Sequence, residues 1–114
     1  MGILNRDDIL SADDAKTQCV AVPEWGGDVL VGNITGKQRD EFEAAMASGK
    51  NSMTNIRAKM VALAVRNKDG SQMFTAKDVG VLGDKSAAAL DRVFTAALRI
   101  NAFTNEDVEE LQGN

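Results

Sequence analysis

Hydrophobic positions along the chain change period once, from strand-like runs near the start to helix-like spacing over most of the remaining length. Two β-prone runs, Thr17 to Val22 and Asp28 to Ile34, flank Pro23-Glu24-Trp25-Gly26-Gly27, which holds the only proline and the only tryptophan. Proline presets φ for a turn, and Gly26 and Gly27 accept positive φ without steric penalty, so the pattern predicts a β-hairpin over about 17–34. The second strand places Val29 and Val31 on one face and Leu30 and Ile34 on the other. That is not the pattern of a sheet with one wet side, so cover is expected on both faces. A lone ribbon is marginal in water. Helices are therefore expected on one face, and another protein against the other face or an edge.

Helical signals surround this hairpin. Asn5 is a cap for a short helix from Arg6 to Ser11, with Asp7 and Asp8 in its first turn and Ile9 and Leu10 as its apolar side. Thr35 caps a helix from Gly36 to Ala47 bearing Phe42, Ala45 and Met46, which Ser48-Gly49-Lys50 ends. Met53 to Arg66 reads as a core helix with Ile56, Met60, Leu63 and Ala64 on one stripe. After the turn signal Asp69-Gly70, Gln72-Met73-Phe74 is a candidate third strand. Thr75 with Asp78 forms a capping-box pattern for a short helix that Gly83 stops. The strongest periodicity comes next: Leu90, Val93, Phe94, Ala97 and Leu98 fall on one face of a helix starting near Asp84 or Lys85. Thr104 and Asp107 cap a last acidic helix carrying Val108 and Leu111. The expectation is one α+β domain over 1–114, the hairpin packed on a helical part over about 36–112.

Composition sharpens this picture. Aromatic residues are 4 % of the 114 residues, with no tyrosine, so the interior must be built from alanine, valine, leucine, isoleucine and methionine. Met46, Met53, Met60 and Met73 suit either irregular core gaps or an adaptable apolar groove. Cys19, the only cysteine, can form no internal disulfide, and its place in a strand predicts a small buried residue. A net charge of −4, with the basic residues dispersed, argues against a nucleic-acid partner. Apolar stretches such as Met60 to Val65 are too short to cross a bilayer, and the acidic first residues lack the basic start and apolar core of a signal peptide, so a cytoplasmic location is expected.

With no histidine, the usual general base, triad partner and zinc ligand are all missing, so neither an enzyme nor a metal or cofactor site is expected. Gly83-Asp84-Lys85-Ser86 lacks the glycine before lysine that a phosphate loop requires and puts a carboxylate there instead; it reads as a helix stop followed by a helix start. Asn67-Lys68-Asp69-Gly70 lacks the flanking carboxylates of a calcium loop and reads as a turn. Asn33-Ile34-Thr35 matches a glycosylation sequon only by chance. The pairs Asp7/Asp8, Asp13/Asp14 and Glu109/Glu110 are solvated faces and helix starts, because neighbours on a helix diverge by about a hundred degrees.

Blocks of residues in order carry a resemblance. Asp7-Asp8-Ile9-Leu10, Val22-Pro23-Glu24-Trp25-Gly26-Gly27, Thr35-Gly36 and Arg39-Asp40-Glu41-Phe42-Glu43 form the first part. Asp69-Gly70, Phe74-Thr75, Asp78-Val79, Leu82-Gly83-Asp84-Lys85-Ser86-Ala87-Ala88-Ala89-Leu90-Asp91-Arg92-Val93-Phe94 and Glu106-Asp107-Val108-Glu109-Glu110-Leu111 form the second. Together they resemble the tail assembly chaperones of bacteriophages and prophages with long, non-contractile tails. The resemblance covers nearly the whole chain and contains no catalytic signature. It implies a helper of virus assembly in the host cytoplasm, absent from the mature virion, that coats the aggregation-prone tape measure protein and helps bring tail tube subunits to it. In that family a longer form often arises by ribosomal frameshift, and this chain resembles the short form or the shared N-terminal domain.

The candidate partner contacts are Trp25, Val29, Leu30, Val31, Val108 and Leu111, with Pro23, Gly26 and Gly27 setting the turn. Self-association is expected as well, because a hairpin apolar on both faces asks for a partner. The alternative reading is a small structural tail-completion or connector protein of the virion.

Overall fold

The computed structural model describes residues 2–48 and 54–101. Helices α1 (Arg6–Ser11), α2 (Gly36–Ala47), α3 (Ile56–Ala64), α4 (Val79–Leu82) and α5 (Ala87–Ile100) accompany strands β1 (Thr17–Val22), β2 (Gly27–Gly32) and β3 (Val65–Arg66). The strands form one antiparallel sheet in the order β1-β2-β3. This is the α+β domain that the periodicities predict, with the hairpin ahead of the helices. The expected terminal helix with Val108 and Leu111, the residue Met53, and the Gly49-Lys50 stop lie outside the described residues.

Registration of the hairpin decides which side is core. Val20 pairs with Val29, Gln18 with Val31 and Val22 with Gly27, so the pleat gathers Val20, Val22, Val29 and Val31 on one face. That face packs on α5, whose Leu90, Val93, Phe94, Ala97 and Leu98 are all buried, as the spacing predicts. Ser86 caps α5 by accepting from the Ala89 amide, so the helix begins slightly later than Asp84 or Lys85. The caps at Asn5 and Thr35 form as reciprocal capping boxes, with Asp8 and Gln38 answering them, and at Thr75 the Asp78 carboxylate accepts from the Thr75 amide at 2.8 Å.

Several expectations change. The helix predicted over Met53 to Arg66 stops at Ala64, because Val65 turns to extended backbone and pairs with Val31. The third strand is thus Val65–Arg66; of Gln72-Met73-Phe74 only Gln72 takes part, in a single bridge to Arg66. Helix α3 is buried nearly all round, with Ala58, Val61 and Ala62 joining Ile56, Met60 and Ala64, since it lies among α2, α4 and α5. Cys19 is exposed, not buried: it stands on the face of β1 opposite Val20. Ile9 and Leu10 meet no core, being 59 % and 67 % exposed.

Turn chemistry is also uneven between the two glycines. Pro23–Trp25 makes one turn of 3₁₀ helix, the Gly26 amide donates to the Pro23 carbonyl at 3.0 Å, and Gly26 sits at φ 77°. Gly27 already belongs to β2 and needs no such conformation. Gly83 serves by size instead, since a Cβ there would stand 2.6 Å from Asn55 Oδ1. Gly26→Ala should therefore cost about 1–2 kcal/mol, whereas Gly27→Ala, in open space, should change stability by less than about 0.5 kcal/mol. Urea denaturation of the two variants against the parent checks this.

Candidate partner-binding surface

Among the described residues no element covers the sheet face turned away from α5. Cys19 pairs with Leu30 and Leu30 with Arg66, so these three side chains form a row across the outer face. A groove of about 600 Å³ runs along this row and is closed on its far side by Trp25, Met73 and Phe74. The Met73 amide donates to the Val65 carbonyl at 3.2 Å, which holds the 73–74 segment against the end of β3. Trp25 and Phe74 form a ridge, and beyond it lies a second depression of about 320 Å³ lined by Val81, Leu82, Asp78 and Lys85. Trp25 is 38 % exposed, Met73 46 % and Val81 67 %, so apolar surface continues across the ridge.

Polar contacts fix the frame beneath it. Arg92 on α5 donates from Nε to both carboxylate oxygens of Glu24, at 2.8 and 3.1 Å, and so ties the turn that carries Trp25 to the core helix. This hydrogen bond holds the Glu24 carboxyl below its ordinary value. Arg66 spends its guanidinium on backbone, donating to the carbonyls of Leu63 at 2.6 Å and Asn33 at 3.0 Å, and burial pulls its pKa down. Its aliphatic stem is left to line the groove.

Of the residues singled out from the sequence, Trp25 and Leu30 lie together on this surface, and Val29 touches it while packing mainly inward. Val31 is fully buried in the core, which removes it as a contact. Val108 and Leu111 lie outside the described residues. Pro23 and Gly26 shape the turn; Gly27 does not. Cys19, Phe74 and Val81 were not singled out as contacts, and Met73 only as one of four methionines. Their signal was indirect: Met73-Phe74 is an apolar pair beside a turn with no strand long enough to bury it.

Compared with protein-family models, curated proteins and solved structures, the chain gives no match. The surface must therefore be read from its own chemistry. Among the described residues no cluster of acidic or cysteine side chains is arranged to hold a metal ion, and no helix is long and apolar enough to cross a membrane. What the groove offers is mainly apolar contact area, from thioether, thiol, indole and phenyl groups, with Asp28, Asn67 and Lys68 at its wall.

The Glu24 contact carries a pH signature. Because the folded carboxyl titrates below its ordinary value of 4.5, its stabilisation is present above that pH and is lost as pH falls through the lower folded value. Asp69, held low by hydrogen bonds from Ser71, acts in the same direction. The stability gap between the parent and Glu24→Gln should be constant near neutrality and close in acid, as followed by urea midpoints across a pH series.

Proposed function

We propose that this protein is a phage tail assembly chaperone, a non-enzymatic helper that covers apolar stripes of the tape measure protein in the host cytoplasm until tail tube subunits displace it. The observation that carries the reading is the continuous apolar surface around Trp25, Met73 and Phe74, left open on the outer sheet face of a domain whose core is otherwise closed. A patch of this kind marks an interaction site. Methionine and a lone ring ridge suit a helical rod whose side chains vary along its length, because unbranched thioethers repack at small cost. Weak contacts repeated by many copies give strong total binding while each copy remains displaceable. The sequence resemblance supplies the identity of the rod; tail tube recruitment, self-association and absence from the mature virion belong to the same proposal.

The unpaired edge of β1 favours a second reading. Thr17–Val22 has no charged residue and no proline to discourage strand addition, and among the described residues β1 pairs only with β2. A ring-forming connector or tail-completion subunit would use such an edge to join its neighbours. Presence of the polypeptide in purified mature particles would select that reading.

Co-expression with a tape measure fragment tests the chaperone. The fragment should move to the soluble fraction and be captured with this protein, and an insoluble, uncaptured fragment would sink the proposal. Trp25→Ala should abolish capture while lowering stability by only about 1–2 kcal/mol; Phe94→Ala, in the closed core, should cost about 3–5 kcal/mol. Loss of several kcal/mol in the Trp25 variant with capture intact would place the indole in the core instead.

A further inference from the structure

We infer that the N-terminal segment of one copy, residues 3–10, seats in the Cys19–Leu30–Met73 groove of a second copy, joining subunits head to tail. This deepens the self-association proposed above and does not depend on rod coating. Ile3 is fully exposed, and Leu4, Ile9 and Leu10 are 64 %, 59 % and 67 % exposed, so a six-residue helix and its lead-in hold out four large apolar side chains with no partner among the described residues. A helix this short is not stable by propensity alone. Its reciprocal cap, Asp8 amide to Asn5 Oδ1 at 2.9 Å and Asn5 amide to Asp8 Oδ2 at 3.1 Å, preforms the turn but leaves the apolar side unsatisfied.

The tether points to a neighbour. Asn33 accepts from the Lys16 amide at 2.8 Å, donates to the Asp14 carbonyl at 3.0 Å, and its own amide donates to the Lys16 carbonyl at 3.1 Å. Residues 14–16 are therefore pinned to the Gly32 end of the hairpin, and only Ala12 and Asp13 separate them from α1. The groove runs the other way, from Cys19 toward Trp25, and no residue of α1 lines it.

Charge selects the same pairing. Within residues 3–10 Asp7 and Asp8 outnumber Arg6, which is paired with Asp7 at 3.0 Å, so the segment is acidic by one charge, carried by Asp8. At the groove wall Lys68 is in no ion pair with a carboxylate among the described residues, and with Arg66, whose guanidinium is held by backbone carbonyls, it outnumbers the one acid, Asp28, so the groove is basic by one charge. Because the donor helix and the receiving groove are different surfaces, each contact leaves a free helix at one end and a free groove at the other, so the assembly grows or closes into a ring. The segment and the rod then share the apolar surface: the segment takes the Cys19–Leu30–Met73 groove, and the rod takes the Trp25–Phe74 ridge and the depression beyond it.

Sedimentation of the full chain over a wide concentration range tests this. Size should rise past the dimer, and Lys68→Glu should weaken association by up to about fivefold. Ile9→Ser/Leu10→Ser and, separately, Met73→Glu should each be monomeric with unchanged thermal melting, since none of these side chains is in the core. Mixing the two should restore a heterodimer and nothing larger, because one supplies an intact groove and the other an intact helix. A chain monomeric at every concentration, variants that still associate, or a mixture that stays monomeric would each overturn the inference. Because no tape measure fragment enters the assay, its failure leaves the rod-capture result standing, and the reverse holds as well.

Discussion

One amphipathic helix has to serve two layers at once. Helix α5 packs its Val93 and Phe94 region against the valine face of the hairpin and against α3, and it does so from one side of the sheet only. The rest of the molecule's exterior is a consequence. A three-stranded sheet with valines on one face and Cys19 and Leu30 on the other needs two layers of cover, and α5 can supply one. The uncovered face is thus a direct outcome of how apolar positions are shared among the helices, and the site lies where that sharing runs out.

A few polar residues convert this packing into a fixed geometry. Asn101, at the end of α5, accepts from the Ile34 amide at 2.7 Å, donates to the Ala97 carbonyl at 2.8 Å, and offers its own carbonyl to Arg39 at 3.2 Å, joining the last turn of α5 to the β2–α2 junction. Arg57 of α3 pairs with Asp91 of α5 and lies over the Phe94 ring, 5.8 Å from its centre. With Glu24–Arg92 at the turn and Asn33 at the hairpin mouth, both ends of the sheet are stitched to neighbouring chain. The stiffness of an aromatic-poor domain therefore rests on hydrogen bonds at element ends as much as on large buried rings.

The element order was legible in the sequence because most local signals agree. The caps at Asn5, Thr35 and Thr75, the turn at Pro23 and the stripe from Leu90 to Leu98 are each decided by neighbours within a few residues. What was not legible depends on partners distant in sequence. Val65 leaves its helix because Val31 offers a ladder position 34 residues earlier, and no helical period records that. Cys19 and Val31 both read as members of an apolar strand, yet register sends one outward and the other into the core. The groove was half visible: Trp25 and Leu30 could be singled out by type and place, whereas Met73 and Phe74 join them through the Arg66–Gln72 bridge and the Met73 amide bond to the Val65 carbonyl.

The placement of Trp25 has an optical consequence. The chain has no tyrosine and a single tryptophan, so its near-ultraviolet emission comes almost entirely from one indole at the lip of the open face. That glow reports what sits on the ridge, and with the indole only 38 % exposed it also responds to loss of the fold. A ligand settling there would change its colour with no label attached, while loss of the buried layer beneath is better followed through the amide backbone.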